Sequence, residues 1–131
     1  MIFLDTSAIY AWADTADANH SRAVELLQII LDSREELLTH NYVLLESVAL
    51  LQARLSITAA VKLAKDASLF VIEWVDEDLH AAGMRELEQS KKRRMSLVDH
   101  ISFLVMRRHR ASRAFSFDRD FISVGFQLFG T

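Results

Sequence analysis

Short apolar runs alternate along the chain with longer segments in which apolar residues recur every three or four positions. A short apolar run predicts a buried strand, and the wider spacing predicts an amphipathic helix. The pattern predicts strands at residues 2–4, 36–39, 69–75, 113–117 and 124–129. It predicts helices at residues 8–13, 19–33, 41–55, 56–67, 76–89 and 96–109. Such alternation indicates an α/β fold whose mainly parallel sheet has helices on both faces.

The first predicted strand, Ile2-Phe3-Leu4, runs directly into the carboxylate of Asp5. The two residues after Asp5 are a threonine and a serine, types that often begin helices, and a helical segment follows them. Asp5 therefore lies where a buried strand ends, which is the edge at which open α/β sheets bind ligands. The alternative is that Asp5 only caps the helix.

Three further acidic residues are expected at the same edge of the sheet. Glu46 lies early in the helix after the second strand, and Asp99 lies in the first turn of the helix before the fourth strand. Asp118 opens a predicted turn directly after the fourth strand. Each acid alone also fits a structural role, such as a capping box between Ser96 and Asp99. Their coincidence at one edge favours a functional site.

Clustered carboxylates with no obligatory histidine or cysteine favour a hard divalent cation, Mg²⁺ or Mn²⁺. Such a cation relieves the repulsion between the carboxylates and can activate water for hydrolysis of a phosphodiester bond. The five histidines are scattered without the spacing of a zinc site. The chain also has no glycine-rich phosphate loop, which argues against a P-loop or dinucleotide-binding protein.

Composition narrows the class of protein. A chain of 131 residues, of which 51% are hydrophobic, predicts a single domain over residues 1–131 with a substantial core. A net charge of −3 excludes a polycation that coats nucleic acid. The absence of cysteine excludes a disulfide framework. No leader pattern or membrane-length apolar run occurs, so we expect a soluble, cytoplasmic protein without a membrane partner.

Basic residues are concentrated in one part of the chain. Eight of the fifteen lysines and arginines lie between Lys91 and Arg113, where Asp99 is the only acid. The first group occupies a polar loop just before the helix of Asp99, so we expect it to bind phosphates: Lys91, Lys92, Arg93 and Arg94. The second group follows a helix length later, and we expect it to be solvated or to contact a partner: Arg107, Arg108, Arg110 and Arg113.

Four motifs in order give the chain a resemblance to PIN-domain ribonucleases, and in particular to the VapC-type toxins of VapBC toxin–antitoxin pairs. The motifs are Asp-Thr-Ser-Ala at residues 5–8, Asn-Tyr-Val-Leu-Leu-Glu-Ser-Val-Ala at 41–49, Ser-Leu-Val-Asp at 96–99 and Phe-Ser-Phe-Asp-Arg-Asp-Phe at 115–121. The resemblance covers the chain in length and order. It implies a three-layer α/β/α fold, a Mg²⁺ or Mn²⁺ cofactor and endonucleolytic cleavage of RNA.

The resemblance also implies roles for individual residues. Four carboxylates are expected to form the metal site, with the first two holding the principal metal: Asp5, Asp99, Glu46 and Asp118. Three hydroxyls are expected to orient carboxylates or water: Thr6, Ser7 and Ser116. Asp120 stands where many family members have histidine. It is either an accessory acid of the metal site or a turn residue, and we favour the turn.

Partners follow from the same resemblance. We expect a homodimer and a small VapB-like antitoxin. The first two helices carry many apolar side chains, which fit either an ordinary core or a groove for an antitoxin segment: Tyr10, Trp12, Leu26, Leu27 and Ile30.

Two other classes of function, a binding module and an α/β phosphatase or phospho-receiver, would need different residues from the ribonuclease. A PIN-like module that binds RNA or a partner without cutting would not need an intact set of acids. A HAD-type phosphatase would have Asp-x-Asp after its first strand, and here Thr6 and Ser7 follow Asp5. A phospho-receiver would need an acid pair at the same place. The sequence therefore favours the ribonuclease.

Overall fold

Five short strands form one parallel sheet in the computed structural model, which describes residues 1–131. In chain order they are β1 Ile2–Leu4, β2 Leu37–His40, β3 Val71–Glu73, β4 Arg113–Phe115 and β5 Gln127–Leu128. Their order across the sheet is β3-β2-β1-β4-β5, and every neighbouring pair is parallel. The first strand is therefore the central one. All three of its residues are buried, as expected for a strand covered on both faces.

Seven helices surround the sheet and complete the three-layer α/β/α fold, which confirms the predicted class. They are α1 Thr6–Ala13, α2 His20–Asp32, α3 Asn41–Arg54, α4 Ile57–Asp66, α5 Glu77–Gln89, α6 Leu97–Arg108 and α7 Asp120–Ser123. Helix α1 packs against α2 and α3, α3 against α4, and α5 against α6. None of the helices is both long and apolar enough to span a bilayer.

Three predicted elements differ from the structure. The strand predicted at 69–75 is only Val71–Glu73, because Ala67–Leu69 forms a 3₁₀ turn that prolongs α4. It is an edge strand, and the adjacent Trp74 side chain is exposed. The strand predicted at 124–129 is reduced to Gln127–Leu128. The turn predicted at 118–123 contains one turn of helix, α7.

A buried histidine joins the two helices that carry Glu46 and Asp99. His40 ends β2 and has no exposed surface. The Ser102 hydroxyl donates to the Val98 carbonyl at 2.8 Å, so it accepts from His40 Nε2 at 2.8 Å. The other ring nitrogen, Nδ1, accepts from the Val43 amide at 3.3 Å and caps α3. These partners fix His40 as the neutral Nε2–H tautomer, and burial lowers its pKa to about 3.

The depressed pKa of His40 predicts acid sensitivity. The unfolded chain binds a proton at this residue below its ordinary pKa of about 6.5, and the native state does not until about pH 3. The contribution of His40 to stability is therefore complete above pH 6.5 and is lost as the pH falls from there. Relative to a His40→Gln variant, the wild type should lose up to about 1.4 kcal/mol per pH unit in this window. Urea unfolding at several pH values measures the difference.

An exposed histidine provides the control for this measurement. His80 lies on the surface of α5. A His80→Gln variant should follow the pH dependence of the wild type. Parallel stability curves for the wild type and His40→Gln would contradict the assignment of a neutral, buried His40.

Candidate active site

All four predicted acids line one cavity of about 340 Å³ at the carboxyl edge of the sheet. We call it the acid cavity. The acids come from four places in the chain: Asp5 after β1, Glu46 on α3, Asp99 on α6 and Asp118 after β4. Helices that follow parallel strands begin at this edge, which explains why residues so distant in sequence meet there.

Asp5 is the most constrained of these acids. It is 6% exposed, and its Oδ2 accepts hydrogen bonds from the Ser7 and Ser116 hydroxyls, both at 2.8 Å. Asp5 occupies the N-cap position of α1, yet its side chain makes no capping hydrogen bond. Burial raises the pKa of the Asp5 carboxyl, and the hydrogen bonds from Ser116 and Ser7 oppose the increase. The hydrogen bonds from the Ser7 and Ser116 hydroxyls are contacts that capping of α1 does not require.

The two serine hydroxyls are themselves held by backbone amides. Ser7 Oγ accepts from the Phe117 amide at 3.0 Å, and Ser116 Oγ accepts from the Asp118 amide at 3.0 Å. Each hydroxyl thus receives a backbone proton and directs its own proton to Asp5. The expectation that both serines orient a carboxylate agrees with this geometry, although their functional role remains a prediction.

Asp99 forms the capping box considered for it and also lines the acid cavity. Its Oδ2 accepts from the Ser96 amide at 2.9 Å, and Ser96 Oγ accepts from the Asp99 amide at 3.2 Å, which is a capping box. Burial raises the pKa of the Asp99 carboxyl, and the negative charges of Asp5 and Asp118 raise it further. The capping box therefore also fixes the position of a carboxylate in the acid cavity.

Glu46 and Asp118 are less buried. Glu46 forms no salt bridge within the protein. Asp118 Oδ1 accepts from the Asp120 amide at 2.9 Å. One cation, Arg54, also lines the cavity, and its guanidinium lies 5.2 Å from the centre of the Tyr10 ring. Arg54 was missed as a site residue, although it follows Glu46 by eight positions, a spacing that keeps both on one face of α3.

The donor set fits a hard cation without forming a ready-made cage. No group of three or more acidic or histidine side chains is close enough to hold a metal ion directly. Mg²⁺ commonly uses one or two carboxylates and retains several waters, so Asp5 and Asp99 are sufficient candidates for direct ligands. Thr6 Oγ1 is buried and lacks a hydrogen-bond partner, although Thr6 lines the cavity. Such an orphaned hydroxyl fits a site that binds water or substrate.

Comparison with known proteins identifies the family. A family profile described as the PIN domain matches residues 2–127. The chain belongs to the PIN-domain family. It is 35% identical over 128 residues to a protein named 23S rRNA-specific endonuclease VapC20, in each of two Mycobacterium tuberculosis strains, H37Rv and CDC 1551. The match covers 96% of this chain and 95% of the relative.

A solved structure agrees with this result. The crystal structure of Mycobacterium tuberculosis VapC20, described as a toxin that cleaves the sarcin–ricin loop, superposes with a TM-score of 0.84. The sequences are 33% identical, and the match covers 96% of each chain. The resemblance to VapC-type PIN domains is therefore confirmed.

Asp120 of this PIN domain lies outside the acid cavity. It is 6% exposed, and Arg94 engages it through Nε at 2.9 Å and Nη2 at 2.7 Å, both to Oδ1. Asp120 is therefore more than a turn residue, because its buried carboxylate anchors the basic loop. Arg94 is one of the residues predicted to bind RNA. Its Nε and Nη2 groups donate to Asp120, and 74% of its side chain is exposed to solvent.

The two basic groups are closer together than the sequence suggested. Lys91 and Lys92 do not line the acid cavity but share a second cavity with Arg107, from the group expected to lie apart. For Arg107 alone the expected separation from the loop is wrong, because that expectation considered only distance along α6. His100, Phe103 and Arg107 share one face of that helix, and the loop lies beside this face.

An apolar groove of about 410 Å³ runs between helices α1, α2 and α4. Of the apolar residues expected to be available there, only Trp12 and Leu27 line it. Leu26 and Ile30 are buried in the core, and Tyr10 lines the acid cavity. The remaining walls include side chains that were not predicted: Leu31, Leu63, Leu69 and Phe70.

The buried charge of Asp5 predicts a gain in stability when it is removed. Burial disfavours the charged form of the Asp5 carboxyl, so Asp5→Asn should raise the Tm of the metal-free protein by about 4 °C at neutral pH, the shift for about 1 kcal/mol. The increase should shrink as the pH falls toward the raised pKa of Asp5, because the wild type then loses the same charge. Differential scanning calorimetry measures both effects.

An exposed aspartate on α5 supplies the matched control for Asp5. Asp78→Asn removes one charge outside the cavity and should change stability by no more than about 0.5 kcal/mol. Adding about 10 mM Mg²⁺ should stabilise the wild type and Asp78→Asn more than Asp5→Asn. A lower metal-free Tm for Asp5→Asn than for the wild type would contradict the claim that the buried charge of Asp5 destabilises the fold.

Proposed function

We propose that this PIN domain is a Mg²⁺- or Mn²⁺-dependent endoribonuclease that acts as the toxin of a VapBC-type pair. The observation that carries the proposal is the acid cavity, in which a buried carboxylate held by two hydroxyls shares the lining with the three other predicted acids and with Asp17. Its relatives, which are named as endonucleases and toxins, support the same reaction class.

Asp5 and Asp99 would hold the metal, with Glu46 and Asp118 completing the site through water. A bound Mg²⁺ or Mn²⁺ supplies a nucleophilic water and stabilises charge on the phosphate. Ser7 and Ser116 keep the Asp5 carboxylate in one orientation.

Two other groups of the acid cavity act on the substrate and the water. Arg54 provides the one positive charge that lines the cavity and can bind a phosphate oxygen. The unpartnered Thr6 hydroxyl is placed to bind water or a ribose hydroxyl.

The substrate we propose is large-subunit ribosomal RNA at the sarcin–ricin loop. The support is 35% identity and a TM-score of 0.84 to relatives whose names state these targets. The exposed basic loop, Lys91 to Arg94, supplies contacts to the RNA backbone. A ribosomal target implies that the protein works in the cytoplasm.

The partner we propose is a VapB-like antitoxin that fills the apolar groove. Leu31 and Leu69, at its walls, are 56% and 80% exposed, which is costly for a surface that stays uncovered. Two further exposed apolar side chains support a homodimer: Leu45 on α3 and Ile57 on α4 are 69% and 68% exposed.

A second candidate is a PIN domain that binds RNA without cutting it. The observation that favours it is the absence of three side chains close enough to hold a metal directly. The two candidates make different forecasts for the same RNA, because the binding module predicts a complex without cleavage products.

Cleavage should require both the metal and the acids. An RNA hairpin with the sarcin–ricin loop sequence should be cut in Mg²⁺ or Mn²⁺ and left intact in EDTA, as read by denaturing gel. Ser116→Ala should lower the cleavage rate about 10- to 100-fold because Asp5 loses an orienting donor. Asp5→Asn and Asp99→Asn should lower the cleavage rate further than Ser116→Ala does, since each removes a proposed metal ligand.

Glu46→Gln and Glu88→Gln form a matched pair in this assay. Glu88 is an exposed residue of α5 outside the cavity, so Glu88→Gln should cut like the wild type whereas Glu46→Gln should be slow. Cleavage that persists in EDTA would contradict the proposed dependence on a metal ion. Tight binding of the hairpin without cleavage under every metal condition would favour the binding module.

The dimer proposal has its own test in light scattering. The chain has a mass of 15.0 kDa, so a homodimer should scatter as a particle of twice that mass. Leu45→Lys together with Ile57→Lys should shift the protein to monomer, because each adds a charge to an apolar interface. The matched control Leu69→Lys changes the groove instead and should leave the dimer intact. A wild-type monomer at micromolar concentration would contradict the proposal.

A further inference from the structure

A second polar cavity, of about 420 Å³, lies beside the acid cavity and has no assigned role. We call it the basic cavity. Three cations line it against a single acid, Glu86. The cations come from two elements, the loop after α5 and helix α6: Lys91, Lys92 and Arg107. This excess of positive charge favours an anionic ligand.

A buried histidine in the wall of the basic cavity points to a ligand. His100 is 6% exposed, and its Nε2 has no hydrogen-bond partner in the protein. Its ring packs edge-on against Phe103, which accounts for its burial but leaves the nitrogen unsatisfied. A buried polar atom without a partner is costly, so a ligand that accepts from this nitrogen would be favoured.

Two of the cations already have their positions restricted by contacts within the protein. The Arg107 guanidinium lies 5.8 Å from the centre of the Phe126 ring. Lys92 Nζ donates to Ser123 Oγ at 3.1 Å. Such contacts lower the entropy lost when a cation binds its ligand.

The basic cavity lies next to the acid cavity along α6 and α7. Asp99 lines the acid cavity and the next residue, His100, lines the basic one, with α-carbons about 3.8 Å apart. Arg94 pairs with Asp120 at the start of α7, and Lys92 bonds Ser123 at its end. The loop thus runs along α7, with Arg94 at the start of this helix and Lys92 at its end.

We propose that the basic cavity binds a backbone phosphate of the RNA strand whose scissile phosphate lies in the acid cavity. Lys91 and Arg107 neutralise the phosphate, and His100 Nε2 donates to one of its oxygens. This inference rests on the proposed function, because it assumes an RNA substrate. Phosphate contacts fix the position of a strand without reading its sequence, so the cavity should bind RNA of any sequence.

Binding is tested in the Asp5→Asn background, which prevents cleavage. The probes are a fluorescein-labelled sarcin–ricin hairpin and an unrelated single-stranded RNA, titrated by anisotropy at several salt concentrations. Arg107→Ala should weaken binding of both RNAs about tenfold, and should reduce the salt slope for the single strand by about 0.7. Lys91→Ala should act in the same way.

Exposed cations outside the cavity provide matched controls: Arg85→Ala for Arg107 and Lys65→Ala for Lys91. Both controls should leave the affinity and the salt slope close to those of the background. Equal effects of Arg107→Ala and Arg85→Ala would overturn the proposal, as would the failure of both RNAs to bind.

His100 is tested without changing the charge of the cavity. His100→Phe keeps an aromatic ring against Phe103 and removes the unsatisfied nitrogen, so it should weaken RNA binding while the Tm stays the same or rises. The ring ¹⁵N resonances of His100 should shift when RNA is added, and those of the exposed His80 should not. An RNA titration that leaves the His100 resonances unmoved would overturn the role of this residue.

Failure of this inference and failure of the proposed function give different results. If the wild type cuts RNA while Arg107→Ala binds like Arg85→Ala, the basic cavity is not a phosphate site but the ribonuclease stands. If Arg107→Ala weakens binding while the wild type never cuts RNA, the phosphate site stands and the ribonuclease fails.

Discussion

The paired hydrogen bonds from Ser7 and Ser116 to Asp5 are the contact on which the rest of the site depends. They join the ends of the two central strands, β1 and β4, through one carboxylate oxygen. Each hydroxyl also accepts a backbone amide, so neither can rotate away without leaving a donor unpaired. The position of Asp5 is therefore set by backbone geometry, and the other acids are arranged around a fixed point.

This arrangement opposes stability, because it holds negative charge in a place with little water. Burial raises the pKa values of Asp5 and Asp99, and the negative charges of Asp5 and Asp118 raise that of Asp99 further. The core compensates: β1 is covered on both faces, and His40 ties α3 to α6 through neutral hydrogen bonds.

Local patterns in the sequence predicted the features that depend on them. The run Ile2-Phe3-Leu4 before Asp5 indicated a central strand, and the alternation of strands and helices brought the acids to one edge. Two features escaped prediction because they depend on side chains that meet only in the folded chain. The Arg94–Asp120 pair spans 26 positions, and the basic cavity joins Lys91 to Arg107 across two elements. The predicted length of the strand at 69–75 was wrong because a 3₁₀ turn prolongs α4 into the start of this apolar run.

The separation of Asp5 and Ser116 by 111 positions has a consequence for protein synthesis. The strand β1 that leads into Asp5 emerges from the ribosome before its partner β4 and before the Ser116 hydroxyl that fixes the carboxylate. A nascent chain that stops before β4 lacks Ser116 and Asp118 and has an open side where the central strand should be paired. The ribosome that makes this protein is therefore exposed to a complete acid cavity only after translation has passed β4 and Asp118.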